Sequence, residues 1–359
     1  MKKLIINNKE SRYPIIQGGM GIGISLSKLS IAAIKAGIVG TISAAQPGFL
    51  YANFRSDALG NNLKALAKEI KAVRKECPSG ILGVNCMYAG TNYDKYIEFL
   101  AKQDIDFIVS GAGLPVDLPK YLVGSKVKPA VIVSSAKAAK IICKKWMRTY
   151  KVLPEFIVVE GPLAGGHLGF SKEDMMSGNY KDLETLTEEV LIEVKKFEDE
   201  FKTSIPVIPA GGINSGREIA KFMKIGSSAV QIATRFIATT ECDASDEYKL
   251  MIVNAKEEDI VLVPSPVGLP GRAIRNTFTK ALKVGNFKPR FCVDCLRVCA
   301  KKDIPYCITE KLGNASGGDA ENGLVFSGAK AYLIDKMATV KEVVDELVVD
   351  YLYGLRESK

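Results

Sequence analysis

The chain has 359 residues, 47% of them hydrophobic and 25% charged, with a formal net charge of +9 and a single histidine. That balance belongs to an ordinary globular protein, long enough for one large α/β domain or two smaller ones. No apolar run reaches the roughly 20 residues of a membrane span, and the start, MKKLIINNKESRYP, lacks the apolar core and cleavage site of a signal peptide, which argues for the cytoplasm.

Short β-branched runs recur along the first two thirds of the chain, with helix-like stretches between them. The first, YPIIQ (13–17), runs into QGGM, where Gly18, Gly19 and Met20 offer backbone that a flat ligand could lie against. GIVGTISA (37–44) follows, then LGNNLKALAKEIKAVRKE (59–76), whose apolar residues repeat at three and four as in an amphipathic helix. GILGVNC (80–86) ends on Asn85, a donor and an acceptor in one side chain. DFIVSGA (106–112) and PAVIVSS (129–135) continue the series, and FIVVEG (156–161) brings Glu160 to a strand end. Directly after it, EGPLAGGHLGF carries Gly165, Gly166 and His167 on a glycine-rich turn. Residues 170–186 lengthen the next connection, which leads to IPVIPAGG (205–212) with Gly211 and Gly212. The segment NSGREIAKFMKIG (214–226) reads as a helix capped by its Asn and closed by Gly. The last run, AVQIATRF (229–236), contains Gln231, Ile232, Ala233 and Thr234.

Continuous apolar runs are what parallel strands buried on both faces look like. Eight of them, most about 25 residues apart, predict a (β/α)8 barrel rather than a doubly wound sheet. In such a barrel ligands bind at the carboxyl ends of the strands, and the last two loops commonly hold a phosphate. Glycines after the seventh run and a helix start after the eighth suit that use, because bare backbone N–H groups can approach an anion. A lone histidine is more often structural than catalytic, but a strand end on the same ring suits an imidazole that moves protons near neutral pH. A proton shuttle alone does not explain a phosphate site, so the anion is read as part of a cofactor.

Beyond about residue 240 the rhythm stops. A Pro- and Gly-rich loop, VPSPVGLPGRAIRN (263–276), presents Arg272 and Arg275, read either as a steering pair for an anionic substrate or NAD(P)H or as solvated. Cys292, Cys295, Cys299 and Cys307 follow with the spacing C-x2-C-x3-C-x7-C. Thiolates this close could converge on zinc or an iron–sulfur cluster, but the spacing fits no common zinc pattern, and reduced thiols without metal are expected. TVKEVVDELVVDYLYGL, at the end, has the periodicity of a docking helix. The excess lysines are scattered without aromatic interleaving, a solvated surface that argues against nucleic acid as a partner.

QGGM, GVN, EGPLAGGH, PAGGI and QIATRF, in this order and spacing, resemble the FMN-dependent nitronate monooxygenase family, formerly the 2-nitropropane dioxygenases, which includes flavin-dependent enoyl-acyl-carrier-protein reductases. The resemblance spans roughly residues 10–245. It implies a TIM barrel over 1–245 and an extension over 246–359 packed on it. It also implies FMN contacts from Asn85, Glu160, Gly165, Gly212 and the run Gln231, Ile232, Ala233, Thr234, with Gly212 and the residues through Thr234 on the phosphate and His167 as catalytic base or acid; Gly18, Gly19, Met20, Gly166 and Gly211, read from their strand-end positions, complete the expected cofactor site. Leu163 stands where many relatives have an acidic residue, and Ala233 where they often have Gly. The expected reaction is oxidation of alkyl nitronates by dioxygen. The alternatives are an NAD(P)H-dependent reductase of enoyl-ACP or a quinone, and a flavin- or metal-binding protein without turnover. A small-molecule substrate, no membrane and no nucleic acid complete the expectation, with a homodimer left open.

Overall fold

The structure, a computed structural model, describes residues 1–299 and 304–356. Its centre is a parallel barrel of β1 (Ile15–Gln17), β2 (Gly40–Ser43), β3 (Leu82–Met87), β4 (Phe107–Gly111), β5 (Lys128–Val133), β6 (Ile157–Glu160), β7 (Val207–Ala210) and β8 (Val230–Ile232). The hydrogen-bonded order runs β1-β8-β7-β6-β5-β4-β3-β2, and a parallel bridge between Ile16 and Val39 joins the two ends. Every one of the eight apolar runs is therefore a barrel strand, as a (β/α)8 fold requires. The strands are shorter than the runs, and β8 stops at Ile232 because the chain turns into a short helix at Thr234–Ile237.

Inward-facing Ile16, Val109, Val158, Ile208 and Ala229 fill the barrel, and the rings of Phe107 and Phe156 meet edge to face at 5.0 Å. An N-terminal hairpin, Leu4–Ile6 with Lys9–Ser11, adds Leu4 and Ile6 to that interior and plugs the end of the barrel away from the site. The outward faces of the strands pack on α1 (Ser27–Lys35), α2 (Ala58–Glu76), α3 (Tyr93–Leu100), α4 (Ala136–Tyr150), α5 (Leu183–Phe201) and α6 (Gly216–Lys224). In α2 the buried residues Leu66, Ile70 and Val73 recur at three and four, and Asp57 caps the helix by accepting the Gly60 N–H at 2.9 Å. The connection after β4 makes only a 3-10 turn, Leu118–Leu122. The cap of α6 is Ser215, not Asn214. Ser215 and Glu218 form a capping box that satisfies two backbone N–H groups reciprocally.

The last helix, α7 (Val340–Arg356), lies in the outer ring against α6 and α1. Val343, Val344, Leu347 and Tyr351 face inward, and each fully buried Val or Leu of that face contributes about 1.5–3 kcal/mol. Gly216 permits the contact: a Cβ there would stand 2.1 Å from the Leu347 carbonyl oxygen and 2.2 Å from the Tyr351 nitrogen. The remaining extension forms two clusters that roof the carboxyl end of the barrel, one on Ile24 and one on Ile22 of the loop after β1. Among the described residues, no helix is long and apolar enough to cross a membrane.

Candidate active site

Under that roof lies a cavity of about 600 Å³ at the carboxyl ends of the strands. Gly18, Gly19 and Met20 after β1, Asn85 in β3, and Glu160, Gly165, Gly166 and His167 in and after β6 all line it. So do Gly211 and Gly212 after β7, and Gln231, Ile232, Ala233 and Thr234 at β8. All the residues expected to hold the cofactor, and His167, thus converge on one space. Gly211 and Gly212 have φ of +94° and +87°, the left-handed backbone that glycine alone adopts without strain. Beside them the helix Thr234–Ile237 opens at Ala233 with no side chain capping its N-terminus.

His167 is not on a free turn. Gly166 and His167 form a two-residue strand antiparallel to Gly271–Ile274, with His167 opposite Gly271 and Gly166 opposite Arg272. Its Nε2 lies 2.8 Å from the Ser265 Oγ, and its ring meets Phe326 edge to face at 5.2 Å. The Nδ1 atom has no hydrogen-bond partner among the described residues. Burial without a neighbouring acid lowers the imidazole pKa from 6.5 to about 4, so the ring is neutral across the physiological range. Burial acts oppositely on Glu160, whose carboxyl is raised from 4.5 to about 7. Two titratable groups at one strand end are thereby both held toward their uncharged forms.

Both arginines of the 263–276 loop are engaged by main-chain oxygens. Arg272 is buried, and its guanidinium donates to the carbonyl oxygens of Pro162, at 2.7 Å, and Ala164, pinning the turn that presents His167. Arg275 is exposed and donates to the Glu258 carbonyl oxygen at 2.5 Å. Neither lines the cavity. The loop read as irregular also supplies the strand Gly271–Ile274, and its Asn276 caps a short helix, Thr277–Ala281.

Sequence reasoning missed the segment Phe326–Ala331, which contributes Phe326, Ser327, Gly328, Lys330 and Ala331 to the cavity wall. The Ser-Gly pair followed by a Lys was the available signal, too common to single out. The wall also includes Cys295, Leu296, Thr309 and Leu312. Cys292 is exposed and Cys295, Cys299 and Cys307 are half-buried, with burial pushing the Cys295 thiol up to about 11. Among the described residues, no three His, Cys, Asp or Glu side chains are placed to hold a metal ion.

A family model described as "Nitronate monooxygenase" matches residues 2–350 of this chain. The chain belongs to the nitronate monooxygenase family. It is an oxidoreductase, and the family is flavin-dependent. A Staphylococcus saprophyticus protein described as "Probable nitronate monooxygenase" is 28% identical over 291 residues, spanning 74% of this chain and 77% of that protein. A Mycobacterium tuberculosis protein, (3aS,4S,5R,7aS)-5-hydroxy-7a-methyl-1-oxo-octahydro-1H-indene-4-carboxyl-CoA dehydrogenase, is 22% identical and spans 96% of this chain and 94% of its own. FabK from Thermotoga maritima shares the fold, with a TM-score of 0.75, 24% identity and coverage of 97% and 95%. The last two similarities extend over nearly the whole chain, the extension included.

Proposed function

We propose that this chain is an FMN-dependent oxidoreductase that oxidises alkyl nitronates, with dioxygen as the final electron acceptor. The observation that carries this reading is an imidazole held by one nitrogen at a barrel mouth whose last two loops bring left-handed glycine backbone and a helix start to the same cavity. The donors present fit a phosphate monoester: left-handed backbone at Gly211 and Gly212, the uncapped helix start at Thr234, and the Ser327 hydroxyl, which is buried without a partner. Asn85, Gln231 and the backbone of Gly18–Met20 would hold the ring system, and Glu160, half protonated near pH 7, would serve as donor or acceptor at its edge. Bound FMN would supply a two-electron acceptor that dioxygen can reoxidise.

His167 would then act as a hydrogen-bond donor rather than as a base. The Ser265 hydroxyl fixes the imidazole through Nε2, which leaves Nδ1 to meet the substrate. As a neutral donor, Nδ1–H would hold a nitronate oxygen without locking the anion into a buried ion pair. As a base, an imidazole with a pKa near 4 is poorly matched to removing a proton from a neutral carbon acid at pH 7. The expected preference is therefore for a preformed nitronate over its parent nitroalkane.

A second reading, an NAD(P)H-dependent reductase acting on an acyl thioester or a quinone, is favoured by the similarity to the CoA-ester dehydrogenase over nearly the whole chain. Anaerobic stopped-flow reduction of the bound flavin separates the two. Fast bleaching by ethylnitronate, with slow bleaching by nitroethane and NADH, is the expected result. Fast bleaching by NADH with none by the nitronate would replace the first reading by the second.

A further inference from the structure

The segment Phe326–Ala331 is fastened to three of the barrel's strand-end loops. Gly328 N–H donates to the Thr234 Oγ1 after β8 at 3.0 Å, and Ala329 N–H donates to the Leu163 carbonyl oxygen after β6 at 3.1 Å. Lys330 Nζ pairs with Glu218, whose carboxylate also takes the N–H groups of Asn214 and Ser215 after β7. Two groups of this segment are poised for something beyond the protein. The Ser327 side-chain oxygen is buried in a residue only 2% exposed, lines the cavity, and has no partner among the described residues. A hydroxyl so placed is destabilising until something accepts its hydrogen. Lys330 is the second. Of the two cationic side chains that the described residues place on the cavity wall, Arg235 is engaged by Glu346 and the Asn214 carbonyl oxygen. Among the described residues Lys330 has only Glu218, and that carboxylate keeps two backbone N–H donors and the Ser215 hydroxyl if the ammonium turns away.

We propose that Ser327 and Lys330 complete the phosphate subsite, so that the cofactor's phosphate clamps the C-terminal extension onto the barrel. The Ser327 O–H donates to one phosphate oxygen, and the Lys330 ammonium supplies the positive charge that the Gly211–Gly212 backbone and the helix start at Thr234 lack. This rests on the FMN reading above. It goes further by assigning the phosphate a second function: the same anion that holds the cofactor in place ties residues 326–331 to the loops after β6, β7 and β8.

The test compares two ligands that differ only in the phosphate, FMN and riboflavin, titrated by fluorescence quenching into flavin-free wild type, Ser327→Ala and Lys330→Gln. Both variants are expected to bind FMN about 10–100-fold more weakly, the range for losing one charge-assisted hydrogen bond, and riboflavin as wild type does. Flavin-free Ser327→Ala should melt no lower than wild type, since the hydroxyl has no partner to lose, while the upward shift in melting temperature on adding FMN shrinks. In limited proteolysis FMN, but not riboflavin, should protect the 326–331 segment. Equal losses for both ligands, or unchanged FMN affinity in both variants, overturn the proposal. A wild type that binds riboflavin as tightly as FMN removes the phosphate subsite altogether while leaving a flavin enzyme. A wild type that binds neither overturns the cofactor reading and this proposal together.

Discussion

Replacing His167 by Asn should make the flavin-free protein more resistant to acid relative to wild type, and the size follows from the two groups at the end of β6. The folded imidazole titrates near 4 instead of 6.5. Between those values the unfolded chain binds a proton that the folded one refuses, so stability is lost as the pH falls from 6.5 toward 4. At about 1.4 kcal/mol per pH unit the full loss is about 3 kcal/mol. Glu160 has the opposite sign. Its folded carboxyl takes a proton near 7 and the unfolded one only near 4.5, so stability is gained by a similar amount as the pH falls through that window. In the wild type these slopes oppose each other and nearly cancel. His167→Asn leaves the Glu160 slope alone, and Glu160→Gln leaves the His167 slope alone. Asp243, raised to about 6 by burial, is common to all three proteins and drops out of their differences. Urea denaturation at pH 7.5 and pH 4.5 reads the effect directly. The stability gap between His167→Asn and wild type should move by about 3 kcal/mol in the variant's favour on going to pH 4.5, and the gap for Glu160→Gln by about as much the other way. Gaps that stay constant with pH would show that neither group is held uncharged by burial, and the neutral-imidazole mechanism would lose its basis.

In the flavin-loaded enzyme, His167→Asn should keep FMN, since the expected phosphate and ring contacts are untouched, and lose about 10–100-fold in kcat/KM for the nitronate, the range for disturbing one hydrogen bond to a charged group. Near-normal turnover with full flavin content would remove His167 from the chemistry. Arg272→Met strips the donor from the Pro162 and Ala164 carbonyl oxygens. The expected loss is about 1.5–3 kcal/mol of stability in urea, together with a fall in kcat larger than any change in FMN affinity, because the His167 turn loosens while the phosphate loops do not; an unchanged kcat would mean that the turn holds its shape without the guanidinium.

What was legible in the sequence was set by local rules. The run IVV at 157–159 reads as a strand because residues buried on both faces of a parallel sheet must all be apolar, and the same holds for the other seven. Glycines after β7 were readable because left-handed backbone at Gly211 and Gly212 admits little else. Even the mistaken cap was a local matter: Ser215 and Glu218 stand three apart as a capping box requires, and that pair outweighs an isolated Asn214. What was not legible depends on partners far away in the chain. The ladder that holds His167 is made with Gly271, and nothing in PSPVGLPGRAIRN announces that GRAI will pair with a two-residue strand more than a hundred positions earlier. Arg272 looks like any loop arginine because its partners are main-chain carbonyl oxygens, which every residue has and no sequence pattern displays. The same reasoning explains α7. Its amphipathic face was visible, but its place beside α6 and α1 depends on Gly216, whose missing side chain lets the two backbones touch. A barrel that fills its eighth helical position with a segment more than a hundred residues downstream of its eighth strand must thread the intervening chain across the mouth. That path is why the extension, and not the barrel alone, builds the wall of the cavity.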